Sequence, residues 1–107
     1  MGTFGFSRVE ISFAKEMPKA FESKENMLKE IDSSLAVNDF ECSGLSVWFE
    51  LSSGRLQNLD HQVKQVIRYI RDNKLAVNDI QASAYSECDE GSFQFSEGED
   101  LDNWDLD

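Results

Sequence analysis

Hydrophobic and polar residues alternate strictly over Arg8-Val9-Glu10-Ile11-Ser12-Phe13, with Val9, Ile11 and Phe13 on one side and Arg8, Glu10 and Ser12 on the other. A period of two is that of a strand buried on one face. Met17-Pro18 breaks the pattern, and Ser23 then offers its hydroxyl as an N-cap. Met27, Leu28, Ile31 and Leu35 follow at helical spacing and predict a helix near 23–34. Asn38 to Cys42 alternates again, and Ser43-Gly44 is a candidate tight turn. Leu45, Val47, Phe49 and Leu51 then line one side of the next segment, up to Ser52-Ser53-Gly54. This predicts a hairpin, with one uninterrupted strand as the alternative.

The clearest helix runs from about 56 to 72, where Leu56, Leu59, Val63, Val66, Ile67 and Ile70 recur at steps of three and four. Its other face holds Gln57, Asp60, Gln62, Lys64, Gln65, Arg68 and Arg71. Ile80, Ala82 and Ala84 alternate with Gln81, Ser83 and Tyr85 in a further strand, and Ser92 to Ser96 makes a short last one. Residues 1–96 read as one domain and 97–107 as an acidic tail. Leu35-Ala36-Val37-Asn38-Asp39 returns as Leu75-Ala76-Val77-Asn78-Asp79, each copy leading from a helix into a strand. Either a duplicated unit or similar corner chemistry accounts for it, and both imply the same local geometry.

The resulting fold class is α+β, an antiparallel sheet with two helices on one face. The order of elements suits a split βαβ, or ferredoxin-like, plan. Alternation then leaves Arg8, Glu10, Ser12, Asp39, Glu41, Ser46, Trp48, Glu50, Gln81, Ser83 and Tyr85 on the opposite face. Trp48 stands out there, because an aromatic among serines and carboxylates is covered by its own chain (the Phe4-Gly5-Phe6 segment or the tail), anchors a partner or is left exposed.

Charge sharpens this picture. The chain of 107 residues carries a formal −11, yet residues 1–86 hold 12 acids and 10 bases, whereas 87–107 hold nine acids and no Lys or Arg. So acidic an end repels nucleic acid and anionic membrane and attracts basic protein. No apolar run approaches the length of a membrane span, and no leader with a basic start and apolar centre is expected. A cytoplasmic protein with Cys42 and Cys88 reduced is the economical reading, and a Cys42–Cys88 disulfide the alternative.

Catalytic sets are sparse. His61 is the single histidine, Gly44 and Gly54 are isolated, and Cys42 is expected inward as an inert thiol. Glu10 and Glu50 could face each other on neighbouring strands, but carboxylates on an open sheet are ordinarily solvated. The acids of 97–107 do not fall at calcium-loop spacing, so neither metal nor cofactor is expected, and no enzyme. Leu101, Trp104 and Leu106 instead interleave with Asp100, Asp102, Asp105 and Asp107, a pattern that can dock on a basic surface with an apolar pocket. The expected partner-binding residues are Trp48, Glu50, Tyr85, Asp89, Glu90, Glu99, Asp100, Asp102, Trp104 and Asp105.

In size, in its −11 charge and in the acid-plus-aromatic end Glu99-Asp100-Leu101-Asp102-Asn103-Trp104-Asp105, the chain is similar to small bacterial immunity proteins of nuclease colicins and contact-dependent growth inhibition systems. The likeness is one of class and rests on no shared motif. It implies a stoichiometric complex with a basic cognate toxin, such as a nuclease, whose site the acids would cover, by a monomer or weak dimer. Two other classes fit less of the pattern. A nucleic-acid mimic of anti-restriction or anti-CRISPR type needs acids spread over the whole surface, and a regulatory ferredoxin-like domain would pair through its sheet.

Overall fold

The computed structural model describes residues 5–86 and 91–97. Its elements are β1 (Gly5–Phe13), a single 3₁₀ turn (Lys19–Phe21), α1 (Lys24–Glu30), β2 (Val37–Ser43), β3 (Ser46–Ser52), α2 (Leu56–Asp72), β4 (Val77–Ser86) and β5 (Gly91–Glu97). The class is α+β: one antiparallel sheet, ordered β2-β3-β1-β4-β5, and two helices. Val9, Ile11 and Phe13 of β1, Val47, Phe49 and Leu51 of β3, and Ile80 and Ala82 of β4 enter one apolar cluster with Met27 of α1 and Val63, Val66, Ile67 and Ile70 of α2. Those inward side chains are the ones that the two-residue and 3.6-residue periods select.

Helix placement departs in detail from the expectation. α1 has seven residues and ends at Glu30, although its apolar spacing runs on to Leu35. Ser23 caps its start as expected, accepting from the Asn26 N–H at 3.0 Å. Its end comes early because Asp32 accepts from both the N–H (2.8 Å) and the hydroxyl (2.7 Å) of Ser34. That local bonding competes with another helical turn. Leu35 is buried from the connection and not from the helix. The 3₁₀ turn was not legible in the pattern, yet it drives Phe21 against Phe13, Phe49 and Tyr69, at centroid separations of 5.3, 6.3 and 6.3 Å.

The hairpin turn lies one residue later than expected. Ser43 pairs with Ser46, so Gly44-Leu45 is the loop, and Leu45 is exposed where a strand reading had placed it inward. Gly44 has φ +60°, a left-handed value suited to the first loop position of a two-residue hairpin. Gln62 corrects the polar-face reading of α2: it is buried, accepts from the Ala36 N–H at 2.8 Å and donates to the Ser52 carbonyl at 3.1 Å.

The two Leu-Ala-Val-Asn-Asp copies form matching corners. β2 begins at Val37 and β4 at Val77. The Ala36 carbonyl accepts from the Ser52 N–H at 3.0 Å, and the Ala76 carbonyl from the Ala14 N–H at 2.9 Å. In each copy the register slips after the valine: Val37 pairs with Leu51 and Asp39 with Glu50, while Val77 pairs with Phe13 and Asp79 with Ser12. Asn38 and Asn78 are thus the extra residues of two bulges, and both aspartates emerge on the face away from the core.

Candidate functional site on the open face of the sheet

Residues that point away from the core gather in rows fixed by strand register. Arg8 lies opposite Glu50 and Ser83, Glu10 opposite Trp48 and Gln81, and Glu41 opposite Trp48 from the other side. Phe6 lies opposite Tyr85, their rings 6.2 Å apart and tilted. Among the described residues of β1 to β4 this face therefore bears three aromatics, the acids Glu10, Asp39, Glu41, Glu50 and Asp79, and one base, Arg8.

Arg8 organises the centre. Its Nε donates to Glu10 Oε2 at 2.8 Å, one terminal nitrogen lies 3.9 Å from Glu50 Oε2, and its guanidinium carbon sits 4.1 Å from the Trp48 ring centroid. A guanidinium over an indole face is attracted by the ring's negative quadrupole. It covers part of half-buried Trp48 from within the described residues. Arg8 thus ion-pairs with both Glu10 and Glu50.

Beside Trp48 the face sinks into a hollow of about 140 Å³, lined by Glu10, Glu41, Asp79, Ser12, Ser43 and Trp48. Three carboxylates with an aromatic wall suit a cationic side chain of a partner. Among the described residues no group of three or more His, Cys, Asp or Glu is placed to hold a metal ion.

Of the expected partner-binding residues, the sheet brings Trp48, Glu50 and Tyr85 to one face, with Tyr85 39% exposed beyond the Arg8 row. Asp89, Glu90, Glu99, Asp100, Asp102, Trp104 and Asp105 lie outside the described residues, as does Cys88. Glu10, Glu41 and Asp79 were missing from that set. Alternation had assigned Glu10 and Glu41 to this face, but only the cross-strand register shows that they flank Trp48.

Cys42 overturns its expectation. Opposite Val47 it points to the core side, but β2 is the edge strand and its thiol is exposed. Partial desolvation, and then the charge of Glu22, push that thiol above its ordinary value, which works against thiolate chemistry at neutral pH. His61 is exposed on α2. Among the described residues no helix is long and apolar enough to cross a membrane. The chain matches no family model, no curated protein and no solved structure.

Proposed function

We propose that this chain is a protein-binding inhibitor of the immunity-protein class, acting without catalysis. Its open sheet face would dock on a basic partner, such as a toxin whose site it occludes. The observation that carries the reading is the acid-rimmed Trp48, with Glu10, Glu41 and Asp79 around the neighbouring hollow and a single base among the described residues of the face. Buried aromatics supply much of the binding energy at protein interfaces, while carboxylates around them speed and orient the encounter. The nine acids of residues 87–107, with Trp104, add the same sign of charge and a second candidate anchor. Arg8 holds the face together in the free protein and is the group that must shift for a partner to reach the indole. The arrangement β2-β3-β1-β4 we read as the split βαβ plan, with β5 added outside it.

The test starts from the partner captured on the full chain. Its association rate is expected to fall steeply with ionic strength, since exposed charges are screened over about 8 Å at physiological salt. Trp48→Ala should leave association nearly unchanged and speed dissociation about thirtyfold, corresponding to about 2 kcal/mol. Glu41→Gln with Asp79→Asn should mainly slow association. A flat salt profile together with a neutral Trp48→Ala would remove the open face from recognition.

A further inference from the structure

A second site candidate lies at the end of the molecule where β1 finishes, α2 stops and β4 starts. A hollow of about 570 Å³ is lined there by Lys15, Lys19 and Lys74, by Tyr69 and Leu75 as apolar walls, and by Ala76. Glu16 is the only carboxylate on it among the described residues. That volume is within the usual range of small-molecule sites. Acids outnumber bases 21 to 10 in this chain, yet none of the three lysines has an ion-pair partner among the described residues.

Two further observations point to a ligand. The first comes from the internal repeat. At the corner of the first copy, the Ala36 N–H gives its hydrogen to the side-chain oxygen of Gln62. At the matching corner the Ala76 N–H has no acceptor among the described residues, and Ala76 lines the hollow. The corner that Gln62 fills in one copy carries no such side chain among the described residues of the other, where Ala76 is exposed and an incoming oxygen could take that place. The second is backbone conformation. α2 ends in a motif that usually carries glycine: the Lys74 N–H donates to the Arg71 carbonyl at 3.1 Å and the Leu75 N–H to the Ile70 carbonyl at 3.0 Å. Lys74 occupies the left-handed position with φ 53°, where a side chain is strained and glycine is not. The charge at this position is kept against a conformational cost, as strained residues at binding sites often are. Lysines near the end of a helix also favour its negative pole, but here capping bonds already satisfy the Tyr69, Ile70 and Arg71 carbonyls.

We propose that this hollow binds a small organic phosphate, its oxygens held by Lys15, Lys19, Lys74 and the Ala76 N–H and its ring set against Tyr69 and Leu75. Glu16 is placed to accept from a hydroxyl or amino group of the same molecule. The proposal does not depend on the protein-binding reading.

Adenosine monophosphate, inorganic phosphate and adenosine serve as probes, titrated into the full chain by amide NMR. The monophosphate should shift Ala76 and its neighbours, inorganic phosphate should do so more weakly, and adenosine should have little effect. Lys15→Gln should weaken the monophosphate roughly three- to fivefold, the scale of one exposed charge pair. Lys74→Gly separates binding from folding, since relief of the left-handed strain should raise the melting temperature while affinity falls by a similar factor. Shifts away from the hollow, adenosine binding as well as the monophosphate, or a Lys74→Gly variant that gains stability at unchanged affinity would each overturn the proposal.

Discussion

Replacing Gln62 by Met tests how the start of β2 is held to the body of the domain. The side chain is 5% exposed and joins the Ala36 N–H to the Ser52 carbonyl. Methionine keeps the length and apolar stem of the side chain but neither hydrogen bond. Two bonds at about 1 kcal/mol each are lost, and a half-buried donor and acceptor are left short of partners, for a total of roughly 2–3 kcal/mol. In a domain of this size that is a fall in melting temperature of roughly 10–20 °C. Gln57→Met, at an exposed position on the same helix, is the control and should stay within about 0.5 kcal/mol. Urea denaturation gives the difference, and amide exchange locates it. Ala36 should lose protection in the Gln62 variant out of proportion to the global loss. Equal effects from the two substitutions, or an unchanged Ala36 amide, would refute the clamp.

Asp32 and Cys42 make two further measurable claims. Hydrogen bonds from the Ser34 hydroxyl, then the Ser34 N–H and then Gln65 hold the Asp32 carboxyl below its ordinary 3.8. A lowered native value stabilises the fold above 3.8 and is lost as pH falls through the native value, so the stability gap between wild type and Asp32→Asn should close in acid when followed by urea midpoint. Because Asp32 is only partly buried, the gap itself should be small. Cys42 should be alkylated by iodoacetamide at neutral pH more slowly than free cysteine despite its exposure, and Glu22→Gln should speed it; peptide mapping by mass spectrometry distinguishes it from Cys88.

Which features were legible in the amino-acid order follows from what periodicity carries. It assigns side chains to faces, so β1, β3 and α2 stand where their patterns put them. It says nothing about which strand lies at an edge, so on alternation alone Cys42 belongs inside, whereas its edge strand leaves it exposed. Gln62 had a signal that its polarity masked: it falls three residues after Leu59 and four before Val66, on the apolar stripe itself. Phe21 sits in a single turn of three residues, too short for any period. Its burial against three aromatics emerges only when β1, β3 and α2 are assembled. The open face was foreseen as a set of residues but not as a map. The Arg8–Trp48 contact needs the β1–β3 register, and the acidic hollow also needs the bulge that brings Asp79 outward. Neither is a property of one segment.

The central place of β1 also has a bearing on how the chain must fold. Of these strands β1 is made before its partners β3 and β4, which begin at Ser46 and Val77. The nascent chain can close the β2–β3 hairpin early, through the short Gly44-Leu45 loop, but β1 is flanked on both sides only once β4 has been made. Pairings of such sequence separation demand large loop closures before any contact repays them, which slows folding relative to a helical bundle of equal length. Until then β1, with Val9, Ile11 and Phe13 on its apolar side, can pair only along its β3 edge. A circular permutant that begins at β3 and carries β1 and β2 after β4 would shorten the β1–β4 separation at unchanged register, and should refold faster if this wait limits the rate.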